Sequence, residues 1–296
     1  KFDEYDFNFI SDQFCVKDNF VIFSGSTENS SDIIFYLNTA KLPPKKININ
    51  RKMYQTKFVS NCYINYFEPN KRKKNGSAII KIHSGPTSCS NYTYSKERKY
   101  WQDRGFGFIE IDYRGSTNYG INYRKSLNGN WGIYDTQDVI DAINYLPEMG
   151  LYDPKKIILK GSSAGGFTLL NSLCETINVV CASCYYGVSD LGGLINDTHK
   201  FESGYTNSLI GVNENKSNLE SLLQSRSPIL KIEKIKTPII FFQGIEDPVV
   251  QPDQTKKIYD KLILNGIDAK MYLFENEGHG FRMKDTIDKC RFAEEK

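Results

Sequence analysis

The chain is 296 residues long, enough for one large domain or two of ordinary size and for a sizeable core. Its 38 Lys and Arg against 35 Asp and Glu leave a formal charge of +3 with both signs interspersed, so no basic field is available to hold nucleic acid or an anionic membrane surface. No run of about 18 apolar residues is present, which excludes a transmembrane helix.

The first 45 residues read as a separate piece. Phe20–Phe23 and Ile33–Leu37 are short β-rich runs on either side of the turn-forming stretch Ser24–Asp32, which predicts a hairpin. Two strands alone are marginal in water, so this piece needs something to pack on. Lys41-Leu42-Pro43-Pro44-Lys45-Lys46 breaks the pattern and marks a boundary, dividing the chain into 1–45 and 46–296. The sequence begins at Lys1 without an initiator Met or a signal-peptide core and reads as part of a longer protein.

Strands and helices then alternate. Tyr54–Ser60, Tyr63–Phe67, Ala78–Ile82, Gly107–Tyr113, Ile157–Leu159, Val179–Tyr186, Ile239–Phe242 and Lys270–Phe274 have strand length and are apolar or β-branched. Asp135–Leu146 has helical spacing with Asp135 as a candidate N-cap, and Phe167–Leu173 and Gln254–Leu264 are also helical. Consecutive apolar strands joined by helices predict an α/β fold with a mostly parallel sheet covered on both faces. The basic run Lys71–Lys74 reads as a solvated turn.

The seven cysteines are scattered without a disulfide framework and are expected to be free thiols in a reducing, cytoplasmic setting. Cys181 and Cys184 have CxxC spacing but lie in an apolar β-rich run without a second pair, so no zinc or redox centre is expected.

Gly161-Ser162-Ser163-Ala164-Gly165 is a G-x-S-x-G motif centred on Ser163, with a predicted strand entering it and a helical segment leaving it. That is the strand–turn–helix of a nucleophile elbow. A serine hydroxyl attacks only when an imidazole takes its proton and a carboxylate orients that imidazole. Of three histidines, His279 sits in the glycine-flanked loop Glu277–Phe281 after the last predicted strand, where an open parallel sheet places its ligands. His83 reads as a loop anchor, and His199 lies in a polar stretch. Asp247 follows a strand and a Gly turn at the same edge and preserves the order Ser, Asp, His; Asp190 is the second candidate acid, and Glu246 reads as a solvated charge. The oxyanion donors are expected to be the N–H groups of Ala164 and of Gly85, the latter in the loop after Ala78–Ile82.

Together these segments resemble the prolyl oligopeptidase family of serine peptidases, in its acylaminoacyl-peptidase-like branch. The matching stretches are His83–Ser88, Asp112–Gly120, Gly129–Gly132, Gly161–Gly166, Tyr185–Asp190, Asp197–Glu202 and Glu277–Phe281, in family order over about residues 78–282. The resemblance implies an α/β-hydrolase fold normally capped by an N-terminal β-propeller, of which residues 1–45 would be the last blade's remnant. By the same alignment Val188, Phe201, Tyr205 and Val250 are candidates for the wall of the P1 side-chain pocket, and Arg114, Trp131 and Asp135 are supporting residues. Ser84 stands where the family has the first Gly of HGGP. No tyrosine occurs in His83–Ser88, and Val249 stands where prolyl oligopeptidases proper have arginine.

The expected function is therefore hydrolysis of short peptides, with the chain's own propeller as partner, no metal or organic cofactor, no nucleic acid and no membrane. Homo-oligomerisation is left open. The same triad would equally serve a carboxylesterase or lipase, and a hydrolase fold without catalysis is the remaining class.

Overall fold

The computed structural model describes residues 7–27, 30–38, 40, 55–70, 76–90, 93–150, 152–175, 177–197, 200–212 and 219–296. Its amino-terminal part is a three-stranded antiparallel sheet in the order β1 (Phe7–Lys17), β2 (Phe20–Thr27), β3 (Ser30–Asn38). The expected hairpin is thus a three-stranded meander. β1 escapes a period-two reading because its pairing with β2 shifts register twice, between Phe7 and Phe9 and between Ile10 and Phe14. The expected turn also contracts, since Ser24 and Gly25 pair with Ile34 and Ile33. The boundary stretch Lys41–Lys46 and the basic run Lys71–Lys74 lie outside the described residues.

The remaining strands form one sheet: β4 (Gln55–Val59), β5 (Cys62–Phe67), β6 (Ala78–Ile82), β7 (Gly107–Asp112), β8 (Ile157–Ser162), β9 (Cys181–Tyr185), β10 (Ile239–Gly244) and β11 (Ala269–Phe274). Their order is β11-β10-β9-β8-β6-β7-β5-β4. The pairs from β7 through β11 are parallel, while β5 runs antiparallel to both β4 and β7.

Nine α-helices occur among the described residues: α1 (Lys96–Gln102), α2 (Ile121–Lys125), α3 (Tyr134–Tyr145), α4 (Ala164–Leu173), α5 (Leu191–Asp197), α6 (Lys200–Ile210), α7 (Leu219–Arg226), α8 (Pro252–Leu264) and α9 (Lys284–Glu294). Side-chain alternation explains how they layer. Ile80, Ile82, Ile109, Ile111 and Phe241 point into one core with Val139 and Ile143 of α3, Phe167 and Leu170 of α4, and Ile258 and Leu262 of α8. Their neighbours Ile79 and Phe108 meet Trp101 of α1, and Phe242 and Phe274 meet Cys290 of α9, on the opposite face. The sheet is therefore covered on both sides, as expected of a mostly parallel α/β-hydrolase sheet.

Asp135 is not an N-cap. Helix α3 begins at Tyr134, and the fully buried Asp135 carboxylate accepts from the Gly132 N–H at 2.6 Å and from the Thr168 hydroxyl, tying α3 to α4. Burial pushes its pKa up to about 6 against the pull of those hydrogen bonds. Arg114 clasps Asp138 with its backbone N–H at 2.7 Å and its guanidinium at 2.6 Å. All seven cysteines are free. Cys181 and Cys184 are an odd number of residues apart on β9 and point to opposite faces, so the CxxC cannot close on one ion. No helix among the described residues is long and apolar enough to cross a membrane.

A charged cluster joins the helices of the second face to the sheet. Glu97 of α1 pairs with Lys81 of β6 at 2.7 Å and with Lys160 of β8 at 2.6 Å, and Lys160 pairs with Glu294 of α9 at 2.8 Å. Burial alone would raise the Glu97 pKa, but the two ammonium groups outweigh it and hold the carboxyl below its ordinary 4.5. Glu97→Gln leaves two lysines short of a counter-charge and is expected to destabilise the fold by roughly 3 kcal/mol at neutral pH. Because the folded-state pKa is depressed, that gap is full above about pH 4.5 and narrows as the pH falls below it. Urea unfolding of both proteins from pH 7 to pH 3 measures it.

Candidate active site

The turn that carries Ser163 is built by close backbone packing. β8 ends at Ser162, α4 begins at Ala164, and Ser163 between them has φ 53° and ψ −122°, a conformation that L-residues seldom adopt. The flanking glycines make it possible. A Cβ on Gly161 would lie 2.3 Å from the Gly165 carbonyl oxygen, and one on Gly165 would lie 2.5 Å from the Ile82 and 2.6 Å from the His83 carbonyl oxygens. The Ser163 N–H donates to the Tyr185 carbonyl at 3.0 Å, fixing the turn to β9.

His279 stands on the loop after β11. Its Nε2 lies 2.9 Å from Ser163 Oγ, and its Nδ1 lies 2.8 Å from Asp247 Oδ2. A carboxylate only accepts, so Nδ1–H donates to Asp247 and Nε2 is left to accept the Ser163 hydroxyl proton. The Asp247 side chain is fully buried. Its Oδ1 accepts the Val249 and Val250 N–H groups, each at 2.9 Å, and Oδ2 also accepts from Gln243 Nε2 at 3.3 Å, so the carboxylate is held without freedom to turn. The imidazole loop is braced by buried Glu277, whose two oxygens accept the Arg282 and Met283 N–H groups at 2.9 Å. Tyr186 supplies a wall, its ring centroid 4.8 Å from that of His279.

Ser163 and His279 open into a cavity of about 820 Å³, whose lining includes Gly85, Ala164, Val188, Tyr205 and Val250. Five expected site residues thus border the same space as the serine and the imidazole. Phe201 belongs to α6, but its side chain is outside the described ones, as is all of His199. Asp190 accepts the Gly192 N–H at 2.9 Å at the start of α5 and takes no part in the relay. Glu246 is exposed. His83 anchors its loop: Nδ1–H donates to the Ser84 carbonyl at 2.8 Å, Nε2 pairs with the Ser116 hydroxyl at 2.7 Å, and the ring stacks on Tyr113 at 4.3 Å. Burial lowers the His83 pKa against the pull of Asp112.

Sequence reasoning missed part of the cavity. Trp131, expected only to support the fold, lines it, and so do Leu194, Thr206 and Leu209. Tyr205 and Leu209 are four apart on α6 and therefore share a helix face, a spacing that could have found Leu209. The lining is mainly apolar and aromatic, an arrangement suited to an apolar side chain.

A model of the prolyl oligopeptidase family matches residues 92–295. Among curated relatives, dipeptidyl peptidase family member 6 of Caenorhabditis elegans is 28% identical over 208 residues, 69% of this chain and 28% of that protein. The acylamino-acid-releasing enzyme of Arabidopsis thaliana is 29% identical over 222 residues, 72% of this chain and 29% of that protein. Among solved structures, a puromycin-hydrolysing peptidase of Mycobacterium tuberculosis superposes with a TM-score of 0.87 at 27% identity, covering 98% of this chain and 48% of the other. The acylaminoacyl peptidase of Pyrococcus horikoshii, at 19% identity and a TM-score of 0.80, shares the fold. The chain spans under a third of these curated relatives and about half of these solved chains.

Gly165→Ala puts a methyl group against two backbone oxygens that cannot move independently of β6. It is expected to cost roughly 2 kcal/mol or more, read as a lower midpoint in urea unfolding, whereas an exposed Gly266→Ala control is strained only by its own φ of 73° and meets nothing within 4 Å.

Proposed function

The chain belongs to the prolyl oligopeptidase family, and from that premise we propose that it is a serine peptidase that hydrolyses short peptides through a covalent acyl-enzyme. The single observation that carries this reading is the unbroken relay from Ser163 Oγ through His279 to Asp247, at 2.9 and 2.8 Å. Ser163 Oγ attacks the scissile carbonyl carbon as its proton passes to His279 Nε2. Asp247 holds the ring in the required tautomer and stabilises the imidazolium. The negative charge that develops on the carbonyl oxygen is received by the N–H groups of Ala164 and Gly85. The tetrahedral species collapses by breaking the C–N bond, and His279 delivers its proton to the departing amine. Water then attacks the Ser163 ester with His279 again as base, releasing the acid and restoring the serine.

Val188, Tyr205 and Val250, joined by Trp131 and Leu209, make up the receptacle for the P1 side chain. Their apolar character favours aromatic or large aliphatic P1 residues. We assign residues 1–45 to the end of an amino-terminal β-propeller and 46–296 to the catalytic domain. The separate three-stranded sheet supports this, and the 98% match to the mycobacterial peptidase leaves too few residues unmatched to exclude that sheet.

A fluorophosphonate probe is expected to label the wild-type protein and not Ser163→Ala; labelling that persists in the variant would remove Ser163 as nucleophile. Asp247→Asn leaves the pocket intact but frees the imidazole tautomer, and kcat on a peptide amide is expected to fall by about 10⁴ with little change in KM. In a substrate panel, peptide amides with Phe or Leu at P1 are expected to be cleaved in preference to long-chain acyl esters. The opposite preference would favour a lipase-type activity.

A further inference from the structure

The loop that carries Gly85 is held from two directions. From the sheet side, the Tyr113 hydroxyl donates to the Pro86 carbonyl at 3.0 Å, the Thr117 N–H donates to the Ser88 carbonyl at 2.7 Å, and Asp112 accepts the Ser90 N–H at 2.6 Å. From the cavity side the hold comes from α6. The Tyr205 hydroxyl lies 2.7 Å from Thr87 Oγ1, and the Thr87 N–H donates to the same Tyr205 oxygen at 3.3 Å. Thr87 is two residues beyond Gly85, which has a φ of 134° and where an added Cβ would come within 2.9 Å of the Ser88 Cβ, so the loop turns tightly at this point. Tyr205 also forms part of the cavity wall with Thr206 and Leu209 of the same helix.

We propose that Tyr205 is a positioning residue: through its hydroxyl bridge to Thr87 it fixes the Gly85 N–H for the oxyanion and couples that donor to the helix that walls the P1 cavity. The proposal rests on the peptidase reading above and goes beyond it by giving the hydroxyl of a wall residue a task separate from its ring. The ring fills space beside the substrate side chain and acts on binding. The hydroxyl is engaged with Thr87; through it, it sets the angle of a donor that matters most when charge has developed on the carbonyl oxygen. Its loss should therefore appear in kcat, since an interaction realised only in the transition state leaves ground-state binding unchanged. A substrate that fails to fill the cavity leaves α6 less constrained, so a well-fitting P1 residue should gain in turnover as well as in affinity.

The test is a double-substitution cycle on the purified protein with one peptide amide bearing Phe at P1. Tyr205→Phe keeps the ring, and Thr87→Val keeps the shape of its partner. Each single variant is expected to lose about 3- to 10-fold in kcat, the worth of one hydrogen bond, with KM within twofold of wild type. The double variant is expected to be no slower than the worse single, because Tyr205→Phe already removes the Oγ1–hydroxyl bond that Thr87→Val removes. The kcat loss is expected to shrink with Ala at P1. An unchanged kcat, a rise in KM alone, or losses that multiply in the double variant would overturn the proposal and leave Tyr205 as a wall. Thr87→Val carries the test by itself if Tyr205→Phe does not fold. Ser163→Ala is run beside them: if wild-type hydrolysis does not depend on Ser163, the peptidase reading fails and this proposal falls with it, whereas Ser163-dependent hydrolysis with an unaffected Tyr205→Phe refutes the positioning role alone.

Discussion

A serine held at positive φ between a strand and a helix is the constraint on which the rest of this molecule depends. The conformation costs of order 1–3 kcal/mol and persists only where the surroundings enforce it. Here the enforcement is steric. α4 packs so closely on β6 that Gly165 lies directly against the Ile82 and His83 carbonyls, and Gly166 lies against Gly187. A looser turn would let Ser163 relax into the helix and withdraw its hydroxyl from the cavity. The same contact brings the start of the Gly85 loop beside the serine, so Ser163 and the proposed oxyanion loop share one piece of packing.

The parallel sheet turns sequence distance into proximity. Ser163 follows β8, Asp247 follows β10 and His279 follows β11, all at strand carboxyl ends, so groups 116 and 32 residues apart come within hydrogen-bond reach. The loops after β10 and β11 are pressed together as well: a Cβ on Gly244 would lie 2.3 Å from the Glu277 carbonyl oxygen. Asp247 sits in that seam with its side chain buried and both oxygens engaged, while the more exposed imidazole faces the cavity. The constraint on each side chain thus increases from His279 to Asp247, which suits the orienting role proposed for Asp247.

Much of this was legible in the residues. Strands buried on both faces announced themselves by consecutive apolar positions, and the elbow by glycines at minus two and plus two from Ser163. What escaped did so for identifiable reasons. The bulged register of β1 erases the alternation that marks a strand. Helices α1, α2 and α5 have at most seven residues, too few for a helical period to stand out. Asp135 looked like a cap from its place before an apolar helix, but its partners are Gly132 and Thr168, brought to it by the packing of α3 on α4. The Tyr205–Thr87 bridge spans 118 residues and has no signature in spacing at all.

The most direct test is to treat the protein with a peptidyl chloromethyl ketone bearing Phe at P1 and to map the covalent adduct by mass spectrometry. If hydroxyl and imidazole work as one unit, inactivation should be accompanied by alkylation of His279 alone among the three histidines, and Ser163→Ala, which cannot form the hemiketal that delivers the reagent, should be labelled far more slowly. Inactivation with the label on His83, His199 or another side chain, or equal labelling of His279 in wild type and Ser163→Ala, would contradict the account.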